Sequence, residues 1–267
     1  MKLANKVIAI TGAGGGMGKA ISTLFGQEGA DIAAIDLKPD KFDEVKDKIQ
    51  SFGRKVKSYE LDVRIENQVN ICFQQVKNDF GRIDIVVNAA GVLGKIEYAI
   101  NVDEKEWNYI MDINGKGVWL CSLAAARIMI NDIKAKKQER GKFVNIASMV
   151  GRTGMAASAA YSASKFAVVG LTQAFAREWG EYKINVNAVC PGIVVTDMFH
   201  DEWTQAAKLL GKKDLWEAAN DVKDKDVALK EFVYPENVAH LCLYFASEEA
   251  NIVTGQSLNI CGGHIML

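Results

Sequence analysis

Apolar residues fall along the chain in two alternating patterns. A short unbroken run is followed by a longer stretch in which they recur three and four positions apart, as in a buried strand followed by a helix. Lys6 to Ile10 is the first such run, Gly12 to Gly18 a glycine turn, and Met17 to Glu28 the first helix. Asp31 to Asp36 (DIAAID) predicts a second strand, and Pro39 to Phe52 a polar helix that turns Phe42, Val45 and Ile49 inward. The period continues with a strand at Lys55 to Leu61, a helix at Ile65 to Phe80 and a strand at Ile83 to Asn88. A long helix from Asp103 to about Lys134 follows, with a break expected near Gly115 to Gly117. Strands at Gly141 to Ala147 and Ile184 to Val189 bracket a helix from about Ala159 to Gly180, and a last helix, Pro235 to Ser247, precedes a strand at Ser257 to Ile260.

Strands alternating with helices in this way predict an α/β protein with a doubly wound, seven-stranded parallel sheet. Each parallel crossover is right-handed and lays its helix back on the sheet, so helices cover both faces. No fixed repeat and no low-complexity linker divides the chain, so residues 1–267 read as a single domain. The stretch 192–234 is too long for an ordinary connection; short helices and a role as a substrate lid are expected there.

Composition narrows the partners. Hydrophobic residues make up 49% and charged residues 24%, enough for a sizeable core. With 32 basic and 33 acidic side chains, the charge of -1 offers no footprint for nucleic acid or an anionic membrane, leaving a small-molecule substrate as the expected partner. The apolar run ending at Thr11 is too short to span a bilayer and is followed by no small-residue cleavage site, so a cytoplasmic protein is expected. Cys72, Cys121, Cys190, Cys242 and Cys261 form no C-x-x-C pair and read as buried thiols. His200, His240 and His264 lack metal-ligand spacing, and no metal is expected.

Three groups of residues carry chemistry. Thr11-Gly12-Ala13-Gly14-Gly15-Gly16-Met17-Gly18 joins a strand to a helix, where glycines let the backbone approach a pyrophosphate at the helix N-terminus; the spacing is not G-x-G-x-x-G, and a merely tight turn is the other reading. Asp36 ends the second strand, where a carboxylate accepts hydrogen bonds from ribose hydroxyls and repels the extra phosphate of NADP, so NAD is the expected cofactor. Lys38 is the nearest cation in sequence, and a solvated strand end is the alternative for Asp36. Tyr161-Ser162-Ala163-Ser164-Lys165 sets a phenol and an ammonium on one helical face, where the cation favours the phenolate. Taken alone, such a pair is also an ordinary feature of helix surfaces.

Together these residues resemble the short-chain dehydrogenases/reductases in their short, cofactor-domain-only form, over nearly the whole chain. Thr11-Gly12 with Gly16 and Gly18 is similar to the family's T-G-x-x-x-G-x-G turn, Asn88-Ala89-Ala90-Gly91 to its N-x-A-G segment, and Pro191-Gly192 with Thr196 to its P-G-x-x-x-T segment. Asn114, Ser148, Tyr161 and Lys165 resemble its catalytic tetrad. The resemblance implies a Rossmann-like fold and an NAD-dependent alcohol/ketone oxidoreductase. In it Ser148 bonds the reacting oxygen, Tyr161 exchanges the proton, Lys165 binds the nicotinamide ribose and assists Tyr161, and Asn114 holds a water linking Lys165 to solvent. It also implies cofactor contacts at Gly12, Gly16, Met17, Gly18, Asp36, Asn88, Ala89, Gly91, Tyr161, Lys165, Pro191, Gly192, Val194 and Thr196. Asp62 and Val63 are expected at the adenine ring, with a helix N-cap before Ile65 as the alternative for Asp62.

The segment after Ser148, Val150 to Met155, is expected to line the substrate pocket, with Arg152 as a polar contact. Asp197, His200, Asp201, Glu202, Trp203 and Trp216 mix acids with aromatics in the expected lid, which suits a small polyhydroxylated substrate. A sugar alcohol oxidised to a ketose is the leading expectation. Vicinal diols or acetoin, steroids and 3-oxoacyl groups are the alternatives, and an inactive NAD-binding scaffold the non-enzymatic one. The resemblance also implies a homotetramer, with the helices starting near Asp103 and Ala159 at one interface and the last strand near another.

Overall fold

The computed structural model describes residues 1–267. Its centre is one parallel sheet in the order β3-β2-β1-β4-β5-β6-β7. The strands are β1 (Val7–Thr11), β2 (Asp31–Asp36), β3 (Val56–Glu60), β4 (Ile85–Asn88), β5 (Gly141–Ile146), β6 (Ile184–Pro191) and β7 (Ser257–Ile260). Period-two alternation sends neighbouring residues to opposite faces. Ile8, Ile10, Ile32 and Ala34 pack on one face against α1 (Gly16–Gln27), α2 (Asp43–Ser51) and α9 (Pro235–Ala246). Ala9, Ala33, Ile35 and Val86 pack on the other against α3 (Glu66–Phe80), α5 (Gly117–Lys134) and α6 (Ala159–Trp179). Burial on both faces explains why β1 and β4 are apolar up to their last residues, Thr11 and Asn88. No helix is long and apolar enough to cross a membrane.

Two expected helices divide. Residues 39–52 begin with a tight 3-10 turn, Pro39–Phe42, before α2, because Pro39 opens the turn and Phe42 is drawn into the core. The long helix starts at α4 (Glu104–Met111), with Asp103 accepting from the Glu106 N–H at 2.8 Å as its cap. It widens into a π turn at Asp112–Lys116 and resumes as α5. The break therefore takes in Gly115, as expected, beginning three residues before it, and Asn114 sits inside it.

The insert between β6 and α9 holds α7 (Asp197–Leu210) and α8 (Leu215–Asp226), with a Val194–Val233 bridge at its neck. Thr196 caps α7 and Asp214 caps α8. Phe199, Trp203, Ala207, Ala218 and Ala219 build a small core of their own, continuous with Met149, Val150 and Tyr161.

Candidate active site

A cleft of about 800 Å³ opens above the carboxyl ends of β1 and β4, where the strand order reverses direction. The glycine turn forms its floor. Gly12 has a φ of +68°, and a Cβ there would stand 2.7 Å from the Ala90 backbone. A Cβ on Gly18 would lie on the Gly12 carbonyl oxygen, and one on Gly16 would meet the Thr196 methyl at 2.9 Å. Side chains are thus excluded where the chain must stay thin. No side chain caps α1 and its first turn holds no acid, so its N–H groups face the cleft unclaimed. These features fit a dinucleotide pyrophosphate.

Asp36 is held at the edge of this floor. Its Oδ2 accepts from the Gly14 N–H and its Oδ1 from the Lys38 N–H, each at 2.9 Å, and each oxygen keeps a lone pair for a ribose hydroxyl. Lys41 stands there too, since a Cβ on Gly14 would meet Lys41 Cβ at 2.9 Å and Asp36 Oδ2 at 3.1 Å. Spacing from Gly18 points to Lys38 alone; the tight turn after Pro39 brings Lys41 back, and the proline was the signal for it.

Asp62 and Val63 also line the cleft. The Asp62 carboxylate is engaged by Arg64, with Oδ1 accepting from Nε at 2.9 Å and Oδ2 from Nη2 at 2.6 Å, and the hydrogen bonds from Arg64 hold its pKa below the usual carboxylate value. It does not cap α3, because its turn closes locally on the Arg64 N–H and Ile65 intervenes. Ala89 and Gly91 reach the cleft, whereas Asn88 is buried behind it, donating to Ser122 Oγ (2.9 Å) and Asn145 Oδ1 (2.8 Å) to tie β4 to its neighbours. Of the segment after β6, Thr196 lines the cleft. Pro191 ends the strand, Gly192 lies against Cys261, and Val194 forms the neck bridge.

Behind Gly91 the tetrad assembles. A Cβ on Gly91 would stand 3.3 Å from Asn114 Oδ1 and 3.5 Å from Lys165 Nζ, so the missing side chain is what lets the cleft reach these groups. Asn114 is pinned: Oδ1 accepts from the Val92 N–H at 2.8 Å, and Nδ2 donates to Val92 O at 2.8 Å and Ser164 Oγ at 3.0 Å. Lys165 is buried, donates to Ile146 O at 3.0 Å, and lies 5.6 Å from the centre of the Tyr161 ring. Burial lowers its pKa to about 8, which leaves it charged at neutral pH.

The Ser148 hydroxyl stands by the Tyr161 phenol and acts to lower its pKa. The expectation that Lys165 depresses the Tyr161 pKa is not met. Burial, and after it the charge of Glu202, push the phenol above its ordinary value, while Ser148 acts in the other direction. The ammonium lies toward the ring rather than the hydroxyl and donates to Ile146 O, and desolvation dominates. Arg152 also departs from expectation. It ties the segment after β5 to the C-terminal strand, bonding Ser257 O and, at 3.0 Å, Leu267 O. Trp203 is buried in the insert's core, and Trp216 packs on Phe199 with ring centres 5.2 Å apart, so these aromatics build the insert. Asp197 and Asp201 do line the cleft.

Comparison with known proteins agrees with this geometry. A family model described as short chain dehydrogenase matches residues 6–207. The 3-oxoacyl-[acyl-carrier-protein] reductase of Thermotoga maritima is 34% identical over 266 residues, covering 100% of both chains. The NAD-dependent glycerol dehydrogenase of Listeria innocua is 32% identical over 98% of this chain and 94% of its own. Among solved structures, an NAD+-bound xylitol dehydrogenase superposes with a TM-score of 0.93 at 28% identity, over 98% of this chain and 100% of that one. The chain belongs to the short-chain dehydrogenases and is a nicotinamide-dependent oxidoreductase of alcohols and ketones.

Proposed function

We propose that the chain is an NAD-dependent polyol dehydrogenase, interconverting a secondary alcohol of a sugar alcohol and the matching ketose, with vicinal diols or acetoin as the next substrate class. The observation that carries the reaction is the seating of Asn114 and the Lys165 ammonium directly behind Gly91 of the cleft wall, with Tyr161 beside Lys165 and Ser148 acting on its phenol. Asp36 supports NAD over NADP, and the acids of α7, with similarity to glycerol and xylitol dehydrogenases, support a polyol.

In this reading Gly12, Gly16, Met17 and Gly18 seat the pyrophosphate, Asp36 holds the adenosine ribose, and Asp62 with Val63 borders the adenine. Ala89, Gly91 and Thr196 flank the nicotinamide end, while Asn88, Pro191, Gly192 and Val194 act from behind as supports. Bound NAD supplies the hydride acceptor for alcohol oxidation, and as NADH the donor for ketone reduction. Tyr161, with its raised pKa, is set as an acid and donates its proton to the carbonyl oxygen in reduction. In oxidation it takes the alcohol proton; the Ser148 hydroxyl favours the phenolate needed for that step, and the Lys165 ammonium, which binds the nicotinamide ribose, passes the proton on toward solvent. Ser148 donates to the reacting oxygen as charge develops on it. Asn114, fixed by Val92 and Ser164, holds the water that links Lys165 to solvent.

Residues 192–234 form the substrate lid over this wall. Exposed Trp107, Trp119 and Phe166 on α4, α5 and α6, and Leu258 on β7, support a homotetramer, which sedimentation tests against a monomer. A second reading, a 3-oxoacyl thioester reductase, has the Thermotoga relative in its favour, and Lys38 and Lys41 beside Asp36 would suit NADP. The test is NAD and NADP reduction over polyols, diols, steroids and hydroxyacyl thioesters. Turnover confined to thioesters or steroids rejects the polyol reading.

A further inference from the structure

Helix α7 presents a stripe formed by Phe199, Glu202, Trp203 and Ala206, spaced three and four apart. Three of its members pack in the cluster that also holds Met149, Val150 and Tyr161. Glu202 is the single charged residue in that stripe. Its carboxyl is half-buried and close enough to Tyr161 for its charge to raise the phenol, yet no hydrogen bond or ion pair within the chain serves it. The neighbouring Trp203 Nε1 is buried and also lacks a partner. A desolvated acid among apolar side chains costs stability unless something donates to it, and a buried indole N–H lacks its usual acceptor. The opposite side of α7 is already engaged elsewhere: Gln205 accepts from the Ile96 N–H at 3.0 Å, and Asp197 and Asp201 face the cofactor cleft.

We infer that Glu202 forms a subsite for a second hydroxyl of the substrate, accepting its hydrogen bond while Tyr161 and Ser148 engage the oxygen that reacts. This deepens the polyol reading and rests on it. A substrate with one hydroxyl, or with an apolar skeleton at that point, would leave the carboxylate desolvated and unpaired and be rejected for that reason. A polyol relieves the same cost. Glu202 thus acts in substrate selection, and its charge effect on Tyr161 is common to any substrate, so a ratio of two substrates reads the selection.

The experiment compares 2,3-butanediol with 2-butanol as probes, measuring kcat/KM for NADH formation by the wild type, Glu202→Leu and Glu202→Gln. The diol-to-monoalcohol ratio is expected to fall about tenfold to a hundredfold in Glu202→Leu, the span of one lost charge-assisted hydrogen bond. Glu202→Gln, which keeps an acceptor oxygen and the shape of the side chain, should retain an intermediate ratio. An unchanged ratio in both variants, with diol turnover intact in the wild type, overturns the subsite alone. A wild type that oxidises neither alcohol but reduces a 3-oxoacyl thioester overturns the polyol reading and the subsite with it.

Discussion

The cofactor cleft and the insert at 192–234 meet over the same wall but are built in opposite ways. The cleft is made of backbone: glycines that exclude Cβ atoms, free N–H groups at the start of α1, and a carboxylate held by two main-chain donors. The insert is made of side chains, two capped helices around Phe199, Trp203 and Ala218, with polar groups distributed over the remaining faces. A backbone site tolerates few sequences and serves one ligand shape; a side-chain site can be retuned one residue at a time. Cofactor chemistry is therefore a property of the family, and substrate choice a property of this chain.

The harshest way to break the cleft is Gly18→Ala. The added methyl would lie on the Gly12 carbonyl oxygen, so the turn must open. Dinucleotide affinity, followed by NADH fluorescence, should fall by roughly a hundredfold or more, as for a group displaced by about 1 Å. Wild-type affinity would show that the turn does not seat the pyrophosphate. Next comes Lys165→Met, which removes a buried ammonium and leaves Ile146 O without its donor. Turnover should drop by about a hundredfold to a thousandfold and KM for NAD should rise. An effect on one constant without the other would separate roles that a single ammonium is here assigned.

Asp36→Ala sharpens the comparison at the cleft's edge. It should lower kcat/KM with NAD and raise it with NADP, changing the ratio by about tenfold to a hundredfold. Adding Leu37→Arg should extend the change, with Lys38 and Lys41 already at hand. An unaltered ratio leaves Asp36 as a solvated strand end.

The smallest effect belongs to the insert. Burial pushes the Glu202 carboxyl from an ordinary 4.5 up to about 7. Between those values the unfolded chain releases the proton first, so stability falls as pH rises, and above about 7 the native carboxylate carries the full cost, at most about 3 kcal/mol. Glu202→Gln carries no such cost. Its melting temperature relative to wild type should rise by a few degrees between pH 5 and pH 8. A difference that does not change with pH places Glu202 in solvent.

The sheet and the cleft were legible in sequence because the run of Ile8 to Ile10, the glycines and Asp36 obey constraints of period and spacing. Lys41 was not, since its place depends on the fold-back after Pro39. The π turn at Asp112–Lys116 was legible as a break through Gly115, which falls within it, but apolar spacing alone reads as a plain helix and gives no sign of the wider turn. Arg152 read as a substrate contact because composition shows a charge but not its partner, here the C-terminal strand; for the same reason the pairing of Asp62, which does line the cleft, with Arg64 was not foreseen. Burial of Tyr161 against the insert, which raises its phenol, depends on packing between segments far apart in the chain.

The central claim is that Tyr161 exchanges the substrate proton in a site whose cofactor binding does not depend on it. It is tested most directly by Tyr161→Phe, with NAD dissociation constant and NADH formation from a turned-over alcohol measured on the same preparation. The account predicts turnover reduced by at least about a thousandfold, as for removal of a proton-transfer group and its hydrogen bond, with NAD affinity near the wild-type value. Turnover close to wild type, or loss of NAD binding together with activity, would contradict it.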